Sequence, residues 1–215
     1  MDLPAKSTVP TSSKTPSPDK TRVPTICGTL LCMVYFISGN EKKIKMYTML
    51  LEKQGVSFTP QALSLDEIQS DFIEEVTEHK AKQAFKQLKK PLFVQDAGWS
   101  IPALKGFPGP YMRYMNQWLS SEDFLLLMKD KQDRSINLLE NFGCMDAKGN
   151  FSLFTAIIPA HVLNAPSGEG SSIDRIAAFK GFDKPLSQTP LEEWKTIFTK
   201  ADVWTKLAEW IKAQE

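Results

Sequence analysis

The stretch "LFVQDAGWSIPALKGFPGPYMRY", residues 92–114, sets an apolar run directly before a carboxylate, Asp96. A few residues on, Gly106, Pro108, Gly109 and Pro110 crowd into one loop. A short apolar run between turn signals reads as a buried strand, here over residues 91–94. Asp96 then stands at the mouth of that strand. In α/β sheets ligands collect outside the carboxyl ends of strands, so an acid there is hard to dismiss as surface decoration. The Gly/Pro loop is either plain punctuation or the wall of a site around Asp96.

Working outward, "MVYFI" (33–37) reads as a buried first strand. Ile44, Tyr47, Leu50 and Leu51 then recur at helical spacing, with Asn40 as the N-cap and Gly55 as the stop. "VSFTP" (56–60) is a second short strand. A helix over 72–89 turns Val76, Ala81, Ala84, Phe85 and Leu88 to one side, and 121–130 is another capped helix. Residues 135–145 and 151–159 flank the turn "DAKGN" and predict a hairpin. Residues 164–172 are a loop. In 191–213, Trp194, Ile197, Val203, Leu207, Trp210 and Ile211 keep helical phase. Strands alternating with helices, plus one hairpin, predict an α/β domain with a mixed sheet.

The totals agree. A chain of 215 residues, 42% apolar and 24% charged, suits one soluble domain with a substantial core, in two lobes at most. A net charge of +1 supplies no global field for nucleic acid or an anionic membrane, so neither is expected as a partner. Three cysteines (Cys27, Cys32, Cys144) and two histidines (His79, His161) show no metal-ligand spacing and no disulfide framework. Residues 1–32 read as a disordered Pro/Ser/Thr-rich extension, and 33–215 as the folded domain. The apolar segment 25–37 resembles a signal-peptide core but is short for a membrane span. Cleaving it would remove the first strand, so a cytoplasmic protein is expected.

Four features can carry chemistry. "SGNEKK" (38–43) lies between a strand and a helix. Amides at a helix start carry partial positive charge, Ser38 adds a hydroxyl, Gly39 admits close backbone approach, and Lys43 reaches back one turn. That combination suits a phosphate. The plain alternative is an ordinary Asn-capped turn. "LDEIQSD" (65–71) brings Asp66, Glu67 and Asp71 to the start of a helix, where acids complement the dipole or serve as hard oxygen ligands. Lys80 sits mid-helix, on what is by default a solvated face. Asp96 is the fourth.

Their order resembles the inosine triphosphate pyrophosphatases, which hydrolyse non-standard purine nucleoside triphosphates. Ser38, Gly39, Asn40 and Lys43 match that family's Thr/Ser-Gly-Asn-x-x-Lys turn. "DEIQ", with Glu67 and Gln69, matches its Pro-Glu-Ile-Gln-like segment. Lys80 and Ala81 match its Lys-Ala pair, and "QDAG" (95–98) its Glu-Asp-Ser/Thr-Gly strand end. "ALKGFPGPYMRY" (103–114) is similar to its Ala-Leu-x-Gly-Leu/Phe-Pro-Gly-Pro-Tyr-x-Lys run. The resemblance is strong over 33–130 and weak over 131–215.

The resemblance implies a mixed sheet flanked by helices, with two lobes around a nucleotide cleft, and a homodimer. It implies Mg²⁺-dependent cleavage between the α- and β-phosphates, with Mn²⁺ as a possible substitute. Glu67 and Asp96 would hold the metal, and Asp96 and Lys80 would be catalytic. Ser38, Gly39, Asn40, Lys43 and Lys80 would bind the triphosphate, joined by Asp174 and Lys200. Four departures stand out. Gln95 replaces the family's strand-end Glu. Ser171 replaces an aromatic that holds the purine. "IFTKAD" (197–202) replaces a Ser-His-Arg segment, and Trp194 stands where the family has Lys. The expected activity is therefore pyrophosphate release with an altered base preference. The alternative is a nucleotide-binding relative with little catalysis.

Overall fold

A computed structural model of the chain describes residues 34–214. The expected extension over 1–32 lies outside the described residues. In chain order the elements are β1 (Tyr35–Ile37), α1 (Glu41–Glu52), β2 (Thr59–Gln61), α2 (Ile73–Leu88), β3 (Leu92–Ser100), β4 (Pro108–Gly109), α3 (Met112–Trp118), α4 (Ser121–Leu127), β5 (Ser135–Met145), β6 (Phe151–Val162), β7 (Ala177–Phe179), α5 (Leu191–Phe198) and α6 (Val203–Lys212). The strands form one seven-stranded mixed sheet in the order β2-β1-β3-β5-β6-β7, with β4 on the side of β3. β1 runs parallel to β2 and β3, and every other pairing among the described residues is antiparallel. The predicted mixed sheet with flanking helices is therefore the fold.

Side chains alternate across a strand, and the two faces of the sheet have different covers. Phe36, Phe93 and Phe142 lie under α1 and α6. Phe36 stacks on Phe93 at 4.7 Å between ring centres, Tyr47 meets Phe142 at 5.5 Å, and Phe142 meets Trp204 at 5.1 Å. On the opposite face Ile37, Leu92, Val94 and Met145 pack with Ala81 and Ala84 of α2. By the same alternation Gln95 and Glu140 belong to the aromatic face, and Asp96 and Asn141 to the α2 face.

β3 departs most from the expected 91–94. It runs nine residues and pairs with β5 from Leu92↔Met145 to Ser100↔Asn137. Asp96 is thus mid-strand and not at a strand end. Hydropathy misses this extension, because Gln95 and Asp96 interrupt the apolar run while the backbone ladder carries on through them. β1 leaves Asp96 without a strand on one flank among the described residues. It pairs with only Leu92 and Phe93 of β3 and ends at Ile37. From Val94 onward β3 has no parallel neighbour among the described residues, and the chain leaving β1 passes into the 38–43 turn. At the far end β4 crosses β3 so closely that a Cβ on Gly98 would sit 2.6 Å from the Gly109 carbonyl oxygen.

Two other expectations shift. The second strand is Thr59–Gln61, not 56–60, because Val56 is buried in the core at the end of α1. The helical phase of 191–213 breaks into α5 and α6. Trp204 Nε1 donates to the Phe198 carbonyl at 2.7 Å across the break, seating a fully buried indole at the joint. No helix among the described residues is long and apolar enough to cross a membrane.

Candidate active site

The turn after β1 is built by its own polar side chains. Asn40 caps α1, its Oδ1 accepting from the amides of Lys42 at 3.0 Å and Lys43 at 3.2 Å. Ser38 Oγ accepts from the Asn40 amide at 3.1 Å. The cap therefore consumes two of the helix-start amides that the sequence offered to a phosphate. Among the described residues the amides of Gly39 and Glu41 have no protein partner. A Cβ on Gly39 would meet only Ala62 Cβ, at an ordinary 3.8 Å. Packing does not demand glycine there, and its backbone stays open to close approach. Gly39→Ala is accordingly expected to keep its melting temperature while the KM for a triphosphate rises about tenfold, the cost of one charge-assisted hydrogen bond. Steady-state kinetics beside a melting curve checks it.

One turn along α1, Lys43 lies half-buried within electrostatic reach of Glu140, Asp96, Lys80 and Glu67. Burial pulls its ammonium below the usual lysine range, against the pull of the Glu140 and Asp96 carboxylates. Lys80 projects from α2, its side chain one-fifth exposed, and donates to Asp96 Oδ1. The same ammonium stands 3.5 Å from Glu67 Oε1. Asp96 itself is 8% exposed, and its Oδ2 is buried without a partner among the described residues. Directly across the ladder, Asn141 Nδ2 is buried and unpartnered as well. A buried acceptor and a buried donor on facing residues call for a polar guest, since leaving either unmet costs about 1–3 kcal/mol.

The Gly/Pro loop is the wall of this site. It delivers α3, whose first turn clamps the acidic segment 65–71. Tyr111 donates to Asp71 at 2.6 Å, Gln69 donates to the Tyr114 hydroxyl at 3.2 Å, and Arg113 lies 3.6 Å from Glu67. Glu67, with its side chain 45% exposed, is thereby held on the rim.

A cavity of about 540 Å³ opens beside the turn. Asn40, Lys42, Lys43 and Lys45 make its cationic side, and Met46, Leu186, Leu191 and Trp194 its apolar side. Asp174 also lines it, capped reciprocally by Ser171: Oδ2 accepts from the Ser171 amide and Ser171 Oγ from the Asp174 amide. Lys200 does not join this group. It lines a separate cavity with Lys180, Ile157 and Phe182, because α5 ends at Phe198 and the chain turns there. Of the residues proposed from sequence, Lys43, Glu67, Lys80 and Asp96 come within electrostatic reach of one another, Ser38, Gly39 and Asn40 form the turn leading to Lys43, and Asp174 lines the cavity with Asn40 and Lys43. Lys200 alone of that set stands apart.

Residues 34–210 match the profile of the Ham1 family. The chain belongs to the Ham1 family. It is 30% identical over 180 residues to the dITP/XTP pyrophosphatase of Methanopyrus kandleri, covering 83% of this chain and 96% of that protein. It is 26% identical over 183 residues to the inosine triphosphate pyrophosphatase of Fusarium vanettenii, covering 85% and 97%. Among solved structures, a HAM1 protein from Coxiella burnetii superposes with a TM-score of 0.69 at 20% identity, over 84% of this chain and 98% of that one. The resemblance drawn from residues 33–130 thus extends over nearly the whole described domain.

Does this Ham1-family site suit a divalent cation? Among the described residues no group of three or more His, Cys, Asp or Glu gathers as a cage. Mg²⁺ does not need one, since it usually takes one or two carboxylates and completes its shell with water and substrate phosphates. Glu67 and Asp96 supply two hard oxygen ligands, with the Lys80 cation lying between them and Asp96 Oδ2 still unused. The donor set fits.

One residue of this Ham1-family site escaped the sequence reading altogether. Glu140 of β5 is 4% exposed. Its Oε2 accepts from Gln95 Nε2 at 2.7 Å and from the Tyr47 hydroxyl at 3.1 Å. Burial pushes its carboxyl up to about 7, against the lowering pull of Lys43 and of these two hydrogen bonds. Burial likewise lifts the Tyr47 phenol well above its ordinary range, with Glu140 adding to the effect. The signal was present: Glu140 falls in phase with Leu138 and Phe142 along a strand of apolar alternates.

Proposed function

We propose that this chain hydrolyses nucleoside triphosphates between the α- and β-phosphates, releasing a nucleoside monophosphate and pyrophosphate, with Mg²⁺, or Mn²⁺ in its place, as the cofactor. The observation that carries the reading is Asp96. It is a buried carboxylate with one oxygen held by Lys80, the other unpartnered, and Lys43 within electrostatic reach. A triphosphate brings about four negative charges, and such sites work by positioning and charge neutralisation rather than by covalent chemistry. The Gly39 and Glu41 amides with Lys43 receive the phosphates. Lys80 screens the charge that builds on the departing pyrophosphate. Asp96 Oδ2 takes the proton of the attacking water, with Asn141 Nδ2 placed to donate to the same water. Glu67 and Asp96 would hold Mg²⁺, which supplies further neutralisation of the phosphate oxygens.

The base lies against the apolar side of the cavity. Trp194 lines that side, while the family's aromatic position is Ser171, so the purine platform moves from the 171–176 loop to α5. An altered base preference follows. The cell compartment suited to this housekeeping reaction is the cytoplasm. The experiment is a panel of inosine, xanthosine, guanosine and pyrimidine triphosphates with Mg²⁺, scoring pyrophosphate apart from orthophosphate. Release from at least one, and none from Asp96→Ala, is expected; no release above that variant sinks the enzyme reading. Binding without turnover would favour the second reading, a nucleotide-binding relative, whose support is Gln95 and the displaced Lys200.

The same reading includes a homodimer. Trp118 is 68% exposed and Phe72 62%, and the Tyr114 and Trp118 rings lie 5.5 Å apart on α3. The exposed Trp118 with its Tyr114 neighbour makes α3 the association surface of this reading. Sedimentation is expected to give twice the chain mass for the wild type and the single mass for Trp118→Glu. A monomeric wild type at tens of micromolar would remove the dimer from the proposal.

A further inference from the structure

Glu140 has no part in the scheme above, yet it is a buried acid within electrostatic reach of Lys43, held by two hydrogen bonds. Its partner Gln95 stands where the resembled family carries an acid. Gln95 spends its donor end on Glu140, and its Oε1 is buried with no partner among the described residues. An ionised carboxylate only accepts, so it can bind just one end of an amide, and the other end must be the free acceptor. Tyr47 braces the carboxylate from α1, and Lys43, on the same helix, faces it electrostatically.

We propose that Glu140 is a positioning residue that locks the Gln95 amide so that its unpartnered Oε1 serves as a neutral oxygen ligand for the cation of the bound triphosphate. This inference rests on the triphosphate reading. An acid at position 95 with a neutral residue at 140 holds one negative charge. So does Gln95 with Glu140. Acids at both positions would place two carboxylates in hydrogen-bond contact, where they cannot both ionise readily. The two positions therefore behave as one exchangeable unit.

The test uses the full chain at pH 8 in four forms: wild type, Glu140→Gln, Gln95→Glu, and the double exchange Gln95→Glu/Glu140→Gln. Calorimetry reads the affinity for Mn²⁺ with a non-hydrolysable α,β-imido triphosphate. Kinetics reads kcat and KM for pyrophosphate release, and melting curves check folding. Glu140→Gln leaves two amides with no set orientation. Its affinity and kcat are expected to fall roughly 10- to 100-fold, the usual cost of losing a group that orients a ligand. Gln95→Glu is expected to fall as well. The double exchange is expected to return to within about threefold of wild type, the strongly non-additive result that coupled neighbours give. A polar pair that merely filled the core would leave the affinity of the double exchange unrecovered whatever its melting temperature, and that result overturns the proposal. So does a Glu140→Gln protein unchanged in both affinity and kcat. A wild type that binds the analogue but releases no pyrophosphate overturns the reaction alone, since the four affinities still decide the role of Glu140. A wild type that does not bind the analogue overturns both.

Discussion

Asp96→Asn is expected to lower kcat for pyrophosphate release by roughly 10²- to 10⁴-fold, the range for loss of a positioned general base. Asparagine keeps the shape and can still accept from Lys80 through Oδ1, but it cannot take a proton. KM should move only severalfold, because the turn at Gly39 and the lysines around it are untouched. Folding should be preserved too. Lys80 keeps Glu67 as a partner and is itself partly in water, so no fully buried charge is orphaned. Single-turnover release of pyrophosphate, with the melting curve beside it, measures both sides of the claim. If the Asp96→Asn variant kept more than about a tenth of the wild-type kcat, well above the range for a lost general base, Asp96 would be removed from the chemistry.

Glu140 carries the largest expected effect on stability, and its sign depends on pH. Its carboxyl sits at about 7 in the fold against 4.5 when unperturbed, because burial disfavours the charged form. The groups that face it are Lys43 and Tyr47 from α1 and Gln95 and Asp96 from β3. Between those two pH values the native protein holds a proton there that the unfolded chain has released. Native stability from this group is therefore complete below pH 4.5 and is lost as pH rises through 7. The loss amounts to about 3 kcal/mol, at roughly 1.4 kcal/mol for each unit of displacement. Glu140→Gln cannot ionise. Relative to wild type it should gain that amount between pH 4.5 and pH 8, read from urea midpoints at both. A difference that stays constant across the range would show that Glu140 ionises as freely in the fold as in the unfolded chain. The expected combination at pH 8, more stable and less able to hold a triphosphate, is the signature of a buried acid kept for function rather than for folding.

Local chemistry made part of this site readable in the chain. Asn40 before an apolar helical period announces the cap, and the structure places both its hydrogen bonds there. Taken singly, the 38–43 turn, Glu67, Lys80 and Asp96 each had a plain alternative, and their order along the chain, read as a family resemblance, is what singled them out. Strand lengths were less legible. β3 continues through Gln95 and Asp96 because β5 supplies a hydrogen-bonding partner, and no pattern within 92–100 reports a partner so far along the chain. The break between α5 and α6 is similarly invisible in the helical phase of 191–213, since it depends on where Trp204 finds room.

By itself, then, the sequence determined most of the helices, the hairpin and the mixed α/β class, which follow from capping and hydropathy period, while the triphosphate reading of the 38–43 turn rested on the family resemblance. Tertiary structure alone decided what faces what. It put Lys80 between Glu67 and Asp96, clamped 65–71 with Tyr111 and Arg113, sent Lys200 to another cavity, and set Glu140 against Gln95. The physical reason is register. Antiparallel pairing of β3 with β5 fixes which residue lies beside Gln95, and shifting it by one residue would turn Glu140 to the other face of the sheet.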